Sequence, residues 1–325
     1  MKDFRTEISP ERPGWSLMHN DQTLMIGSCF AEHIGTRLKE RFFQIDLNPF
    51  GVLFNPVSIA GGLQRLINGE PYKLDDLFVY QGLWHSFDHH SRFSGSDPVE
   101  VLDRINMQLL ESSEKIRKTS RLFITLGTAS VYHYLKTGRV VSNCHQVPAG
   151  EFQNQLLRVG DIVRIYTRIV QDLLHINPDL KLVFTVSPVR YWKDGPNGNQ
   201  ISKATLILAV SELVKDFDQI SYFPAYEIFM DDLRDYRFYD QDLLHPGMAG
   251  ISYTWRKFEE TYLGEETLNL NKKIEKLQKS RNHRPRNPDT EEYQDFLTKL
   301  KNKAEQLQKE YPELEMGEFN IQDPL

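Results

Sequence analysis

The sequence predicts an α/β protein built on a doubly wound parallel sheet with helices on both faces. Short runs of apolar, β-branched and aromatic residues recur along the chain, and each is about as long as a buried strand. Segments with apolar residues at helical spacing lie between these runs. Strands that alternate with helices imply βαβ units, and such units form a parallel sheet.

The elements follow in chain order from these two patterns. The first helix is predicted over 29–41, because Phe30, Ile34 and Leu38 recur every four residues. The stretch from about 48 to 98 is rich in aromatic residues and histidine, and we expect a lid-like insertion over the carboxyl ends of the strands, where ligands bind. The predicted strands are 23–27, 42–47, 121–127, 181–187 and 220–223, and the other helices centre on 99–110, 162–174 and 206–214.

The composition of the chain changes at Gly264. Residues 1–263 are predicted to form the α/β domain, and 264–325 a Lys-, Glu- and Gln-rich helical extension that Pro285 and Pro288 divide in two. We expect these helices to pack on the domain or on a second copy of the chain, and an arm for another protein is the alternative. The apolar stripe behind this expectation is Phe296, Leu297, Leu300, Ala304 and Leu307.

Composition excludes several classes of protein. A chain of 325 residues with 26% charged residues and a net charge of -6 has the make-up of an ordinary globular protein without the basic footprint of a nucleic-acid partner. The N-terminal MKDFRTEISPERPGW is no secretory signal, and no window has the roughly 18 apolar residues that span a bilayer. Cys29 and Cys144 are expected to be reduced thiols. We therefore expect a cytoplasmic protein with no membrane partner and, without a metal or nucleotide motif, no cofactor.

Residues 24–35, LMIGSCFAEHIG, place a serine and a cysteine where the first strand becomes the first helix. Ser28 at this junction can be an N-cap, whose hydroxyl accepts a hydrogen bond from a first-turn amide. It can also be a nucleophile, because the amino end of a helix favours a developing alkoxide or oxyanion. A GxSxG elbow, which would be a stronger sign of a nucleophile, is absent from the sequence.

A serine nucleophile needs a histidine to take its proton and a carboxylate to orient that histidine. The segment YDQDLLHPG at 239–247 offers both, because Asp242 and His245 are three residues apart and can face one cleft. The pair follows the last predicted strand, so its loop can reach the edge of the sheet that carries Ser28. Alone, Asp242 could merely cap a turn.

The motif GSCFA at 27–31 resembles the signature of the GSCFA domain family, which is similar to the SGNH, or GDSL-like, hydrolases. Those enzymes carry a serine after the first strand of a flavodoxin-like sheet and a DxxH motif near the end. The resemblance implies that Ser28 is the nucleophile, His245 the general base and then acid, and Asp242 its orienting carboxylate. It is supported by NPFGVLFNP at 48–56, HSFDHHSRFSG at 85–95, ITLGTASVY at 124–132 and SNCHQVP at 142–148.

The oxyanion donors are the point at which the sequence departs from the SGNH pattern. Those enzymes use a glycine amide after the second strand, a place that Gly51 fits, and an asparagine after the third, where Thr128 stands instead. Loss of one donor typically costs about 10²–10³ in rate. The Thr128 hydroxyl or the Asn143 side chain could replace it, and Asn143 could equally be a turn residue.

Other reactive side chains have alternative interpretations. Cys29 could be the nucleophile, with His145 or His245 as its partner, or a buried thiol. Arg190, after the fourth strand, could bind an anionic group or form a surface ion pair. The cluster His85, Asp88, His89 and His90 could hold a metal, but the segment does not look helical, and we expect a lid in which one histidine or Arg92 contacts the pocket.

The function that we expect first is hydrolysis of a small-molecule or glycan ester, by an esterase or deacylase, through an acyl-enzyme on Ser28. The same three residues could transfer the acyl group to a carbohydrate or similar hydroxyl if a lid excludes water. A binding module without activity on the same fold is the third hypothesis, and the missing asparagine is its main support.

Overall fold

The computed structural model describes residues 5–281, 290–314 and 316. The strands are β1 (Thr23–Gly27), β2 (Ile45–Leu47), β3 (Leu77–Tyr80), β4 (Leu83–Ser86), β5 (Arg121–Leu126), β6 (Ser130–Tyr134), β7 (Val140–Val141), β8 (Phe152–Leu156), β9 (Lys181–Val186) and β10 (Ile220–Phe223). The helices are α1 (Cys29–Lys39), α2 (Pro56–Asn68), α3 (Pro98–Ile116), α4 (Val159–Ile176), α5 (Gly195–Asp216), α6 (Ala225–Glu227), α7 (Met248–Tyr262), α8 (Glu265–Arg281) and α9 (Glu291–Glu310).

The five predicted strands form one parallel sheet in the order β10-β9-β5-β1-β2, which confirms the doubly wound fold. This is the order of a flavodoxin-like sheet, in which the order of successive strands reverses beside the first strand. Gly27 pairs with Thr125, and Leu126 pairs with Val186. The carboxyl ends of β1, β5 and β9 therefore lie side by side.

Alternate residues of the strands bury themselves under different helices, which is why each strand reads as a continuous apolar run. Leu24 and Ile26 pack in the larger core, together with side chains from α2, α3, α4 and α5. Met25 packs in a second core on the opposite face, with apolar side chains from α1 and α7. The helices thus cover both faces of the sheet, as predicted.

The region between the second and third predicted strands contains more than a lid. Its α2 begins at an Asn55 cap followed by proline and packs on α3 and α4 as part of the helical layer. The β3–β4 hairpin is antiparallel, and residues further along the chain form a second small antiparallel sheet, β7-β6-β8, that the sequence did not predict. The second strand is shorter than predicted, because Phe42 has a φ of +62° and closes the turn after α1.

The C-terminal helices α8 and α9 pack against each other and against the domain. Leu300, Ala304 and Leu307 of the predicted apolar stripe are buried in one cluster with Ile274 of α8 and Phe42 of the domain. Pro285 and Pro288 lie outside the described residues. Within the described part of the chain, no helix is both long and apolar enough to cross a membrane.

Candidate active site

Ser28 lies at the carboxyl edge of the sheet, between β1 and α1, and is only 2% exposed. Its Oγ accepts a hydrogen bond from the Phe30 amide at 3.3 Å, so Ser28 is the N-cap of α1. Its own amide donates to Thr125 O at 3.2 Å and extends the pairing of β1 with β5. Ser28 also lines a cavity of about 390 Å³. Capping of the helix and contact with a cavity are thus combined in one residue.

β1 ends in a glycine, Gly27, because the backbone of β5 lies too close for a side chain. Its φ is +139°, and a Cβ built on it would lie 2.2 Å from Thr125 O, so any side chain would force β1 away from β5. Its amide donates to Asn48 Oδ1 at 2.9 Å. The glycine therefore allows the close backbone approach that seats Ser28 beside the end of β5.

The cavity opens at the point where the order of the sheet reverses, which is the usual ligand site of such folds. Ser28 follows β1, Thr128 follows β5 and Ser187 follows β9, and all three line the cavity. One side is closed by the loop before α2, since Phe54 O accepts hydrogen bonds from the amides of Gly127 and Thr128 at 2.7 and 3.0 Å. Other lining residues are Asn55, His90, Tyr132, Asn143, Cys144, Arg190, Tyr191, Lys193 and His245.

Asp242 and His245 form the pair that their spacing predicts. His245 Nδ1 lies 2.5 Å from Asp242 Oδ2, and Asp242 Oδ1 accepts the amides of Leu244 and His245 at 2.9 Å each. The His245 amide, followed by its imidazole and the Leu244 amide, lowers the pKa of Asp242 to about 2. Asp242 is therefore a carboxylate at neutral pH, and its bond to Nδ1 leaves Nε2 of the histidine for a ligand or nucleophile.

Ser28 and His245 line the same cavity without a mutual hydrogen bond. Among the described residues, Phe30 N is the only hydrogen-bond partner of Ser28 Oγ, and none forms a hydrogen bond with His245 Nε2. Active-site hydrogen bonds are often long in the absence of a ligand and tighten when one binds. The cavity therefore holds a serine and a carboxylate-bound histidine that are not hydrogen-bonded to each other.

The three candidate oxyanion donors have different environments. The Gly51 amide donates to Asn48 O at 2.7 Å, and Gly51 does not line the cavity. The Thr128 hydroxyl is 3.1 Å from Ser202 Oγ and accepts the Ser130 amide. Asn143 lines the cavity and accepts the His145 amide on Oδ1 at 2.9 Å, and among the described residues its Nδ2 has no partner. Asn143 is thus the candidate with an available amide.

The histidines of the predicted lid separate in space. His85 is buried outside the cavity, 2.7 Å from Ser94 Oγ and 3.2 Å from Tyr80 O. His89 bonds Ser86 Oγ at 2.9 Å, and burial lowers its pKa to about 3. His90 lines the cavity. Among the described residues, no group of three or more His, Cys, Asp or Glu side chains could hold a metal ion.

Both cysteines line the cavity and are free thiols. Burial, with a smaller effect of Glu32, raises the pKa of Cys29, and burial also raises the pKa of Cys144. A raised pKa keeps a thiol protonated at neutral pH and makes it a poor nucleophile. Neither thiol therefore has the lowered pKa that marks a reactive cysteine.

Lys203 is a residue of this region that the sequence analysis missed. It is 1% exposed on α5, and its Nζ donates to Gly127 O and Ser187 O at 2.7 Å each. Burial lowers its pKa to about 7. The amine ties the carbonyl that follows β5 to the carbonyl that follows β9. Its position one turn before Leu206, on the apolar face of the predicted helix, was the available signal.

Asn55 and Lys193 were missed as well. Asn55 holds the start of α2, with Oδ1 accepting the Ser58 amide at 2.8 Å and Nδ2 donating to Ser58 Oγ at 2.9 Å. It stands in NPFGVLFNP, a segment already associated with the family signature. Lys193 follows Arg190 by three residues in the loop after β9, and that spacing of two cations was its signal.

Comparison with known proteins gives two family matches. A sequence model described as "GSCFA family" matches residues 22–258, and one described as "GSCFA domain protein, C-terminal domain" matches residues 274–319. No curated protein matches the chain. Six chains of solved structures match, among them "a putative platelet activating factor from Streptococcus pneumonia", with 12% identity and a TM-score of 0.37 over 74% of this chain and 83% of that one.

Proposed function

The chain belongs to the GSCFA family, and from the contents of its cavity we propose that it is an SGNH-like serine hydrolase that cleaves an ester with Ser28, His245 and Asp242. The observation that carries the proposal is that residues about 215 positions apart in sequence line one cavity. Ser28 comes from the first strand–helix junction, and His245, oriented by Asp242 at 2.5 Å, comes from the loop before α7.

In the proposed reaction, Ser28 Oγ attacks the carbonyl carbon of the ester while its proton passes to His245 Nε2. Asp242 keeps Nδ1 protonated and stabilises the imidazolium that forms. The tetrahedral intermediate collapses, the C–O bond to the alcohol breaks, and the alcohol leaves with the proton from His245. The acyl group then remains on Ser28 as an ester.

Water completes the proposed cycle. It attacks the acyl carbon as His245 takes one of its protons, and the acid leaves when that proton returns to Ser28 Oγ. The side chains of His245 and Asp242 are 50% and 46% exposed, so water reaches the base directly. An exposed base favours hydrolysis over transfer to another hydroxyl, which needs water to be excluded.

The oxyanion is proposed to bind at the amino end of α1 and at Asn143. The Cys29 amide is in the first turn of the helix and has no acceptor within it. Asn143 offers its Nδ2, since only its Oδ1 is engaged, by the His145 amide. Together they supply two donors for the oxyanion. The Asn143 donor replaces the asparagine of the SGNH pattern, at whose position Thr128 stands.

A cytoplasmic location is part of the proposal. Cys29 and Cys144 are both unpaired, as cysteines are in a reducing compartment. Contact between copies of the chain through α8 and α9 stays a prediction, because the buried residues of their apolar stripe pack within one chain.

One observation favours a second candidate, a ligand-binding module without activity. Ser28 Oγ is engaged by the Phe30 amide and, in the described part of the chain, not by His245. A serine that served only as a cap would look the same. The two functions differ in whether the Ser28 oxygen is nucleophilic, and this property can be measured without knowledge of the substrate.

The test is labelling with a fluorophosphonate, which modifies activated serines, followed by intact mass and peptide mapping. We expect one adduct, on Ser28, and none in Ser28→Ala or Ser28→Asn. The asparagine variant retains an oxygen that can cap α1, so it separates loss of the nucleophile from loss of the cap. His245→Gln should slow the labelling strongly, because the base is removed.

Ser142→Ala is the matched control, since Ser142 lines the same cavity and has no role in the proposed reaction. It should label like the wild type. A folded wild-type protein that takes up no label, or takes it up equally in Ser28→Ala, would contradict the hydrolase and leave the binding module as the function to pursue.

A further inference from the structure

The cavity beside Ser28 is cationic in an acidic protein. The chain has a net charge of -6, yet none of the described residues that line the cavity is an Asp or a Glu. Arg190 and Lys193 contribute two permanent positive charges to its wall, and the nearby carboxylate of Asp242 is engaged by His245. A wall of this charge attracts anions and repels cations.

Arg190 has no ion-pair partner among the described residues. Within the described part of the chain, its guanidinium forms no hydrogen bond or ion pair, and its Nε is buried without a partner. The group lies over the Trp192 ring, 4.6 Å from its centroid, and also borders a smaller cavity of about 200 Å³ beneath Leu243. A buried and unpartnered guanidinium nitrogen is costly unless a ligand satisfies it.

Lys193 approaches the same cavity from the next turn of the chain. Its Nζ lies 4.7 Å from the centroid of the Tyr132 ring, and no described carboxylate pairs with it. The adjacent Asp194 instead accepts a hydrogen bond from Ser130 Oγ at 2.8 Å. The Lys193 amine is hydrogen-bonded to the Tyr132 side chain, and because no described carboxylate forms an ion pair with it, its charge is also available to an anionic ligand.

The position of these two residues sets a distance to the nucleophile. They follow β9, Ser28 follows β1, and β5 lies between these strands. Neighbouring strands are about 4.8 Å apart, so the ends of β1 and β9 are separated by on the order of 10 Å along the edge of the sheet, and the cavity spans this separation. A single small ligand can contact both ends.

We propose that the substrate of this site is an ester with an anionic group, a carboxylate or a phosphate, which Arg190 and Lys193 bind while the ester lies at Ser28. This inference rests on the proposed function. The planar fork of an arginine suits either anion, and the lysine adds a point charge. The two residues bind substrate and take no part in bond breaking, so their loss should raise KM more than it lowers kcat.

The experiment compares matched pairs of nitrophenyl-type esters on the wild-type protein. One pair carries a terminal carboxylate or its neutral carboxamide on the acyl chain, and the other a phosphate or a neutral hydroxyl on the alcohol. We expect kcat/KM of the anionic member to exceed that of the neutral one by about tenfold or more in one pair. Arg190→Gln and Lys193→Gln should each remove most of this preference through KM, and added salt should weaken it.

Arg168→Gln and Lys215→Gln are the controls, because they remove exposed cations of α4 and α5 that do not line the cavity. Both should keep the preference. Equal hydrolysis of charged and neutral esters would overturn the anion site and leave the hydrolase standing. If no ester is cleaved, the hydrolase fails, and calorimetric binding to the Ser28→Ala variant decides: tighter binding of the anionic esters supports the site, and equal or absent binding overturns it.

Discussion

The two sides of the cavity are held by the chain in different ways. On the strand side, Ser28 is 2% exposed, and its backbone is fixed by a ladder bond to β5. Lys203 of α5 joins the carbonyls that follow β5 and β9. On the loop side, half of the His245 side chain is exposed. The nucleophile is thus part of the core, and its proposed base is part of the surface.

The loop that carries His245 keeps its shape by local contacts. Asp240 N donates to His245 O at 2.8 Å, and Asp242 accepts two amides of the same loop. Leu243 has a φ of +58°, a left-handed conformation that costs a residue with a side chain about 1 kcal/mol. One bond, from Arg190 N to Leu244 O at 3.2 Å, connects the loop to the segment after β9.

This difference shows where the freedom of the site lies. The Asp242–His245 pair is preformed on a half-exposed loop, whereas the backbone of Ser28 is bound to β5 of the sheet. The distance between serine and histidine is therefore set by the position of the loop. Substitutions in the loop should change activity with little effect on stability, and substitutions beneath the sheet edge should change stability first.

The largest expected effects come from substitutions of Asp242 and His245, the pair on the loop side of the cavity. His245→Gln should lower kcat/KM by on the order of 10⁵, because no other group takes the Ser28 proton. Asp242→Asn should cost about 10⁴, because the amide keeps the oxygen that accepts the loop amides but no longer fixes the tautomer. Both side chains are about half exposed, so we expect midpoints of thermal unfolding within a few degrees of the wild type.

Asp240→Asn is the control for the loop, since Asp240 is an exposed neighbouring carboxylate whose Oδ1 accepts only the Gln241 amide. It should keep nearly full activity. If Asp242→Asn were as active as Asp240→Asn, the Asp242–His245 contact would be a turn cap and nothing more.

The second-largest effect is expected at Asn143, which lines the cavity and belongs neither to its strand side nor to the loop that carries His245. Asn143→Asp keeps the oxygen that accepts the His145 amide and removes the Nδ2 donor. We expect kcat to fall by about 10²–10³, with KM nearly unchanged, because the lost interaction is made only in the transition state.

Asn154→Asp is its counterpart on an exposed position of β8 and should be silent. Thr128→Val tests the alternative donor, and we expect a small effect on kcat because that hydroxyl is engaged with Ser202 and Ser130. A large loss in Thr128→Val together with an active Asn143→Asp would place the oxyanion at the threonine instead.

The sequence predicted the central sheet because its strands are buried on both faces, so each appears as an uninterrupted apolar run. The Asp242–His245 contact could also be predicted, because the two residues are three apart in sequence and the contact is local. Contacts that depend on tertiary packing could not be predicted from the sequence. Gly51 fits its slot by position in the chain, but its amide closes a turn with Asn48. His85 lies near His90 in sequence, and the β3–β4 hairpin carries it away from the cavity.

Lys203 is a residue that the sequence did not single out, because its contacts also depend on tertiary packing. A lysine on the apolar face of a helix is usually expected to extend its amine to water. Here the loops after β5 and β9 each present a carbonyl above α5, and only the assembled sheet reveals that these two acceptors need one donor. Asn55 and Lys193 are similar cases, because their contact with the cavity depends on strand order.

The smallest predicted effect is a pH dependence of folding stability, and it arises from Lys203 on the buried side of the cavity. The ordinary pKa of lysine is about 10.4, and burial lowers that of Lys203 to about 7. Between these values the unfolded chain binds a proton that the folded chain does not, so this residue makes stability rise with pH from about 7 upward. Below pH 7 both states are protonated, and the dependence disappears.

Urea unfolding at pH 7, 8 and 9 measures this contribution. The free energy of unfolding of the wild type should gain about 1 kcal/mol per pH unit relative to Lys203→Met, which has no proton to lose at this position. Lys215→Met, an exposed position of the same helix, should follow the wild type. Parallel curves for wild type and Lys203→Met would mean that the amine stays charged when folded, and that the carbonyls of Gly127 and Ser187 stabilise the ammonium enough to offset its burial. The ends of β5 and β9 would then share a buried positive charge.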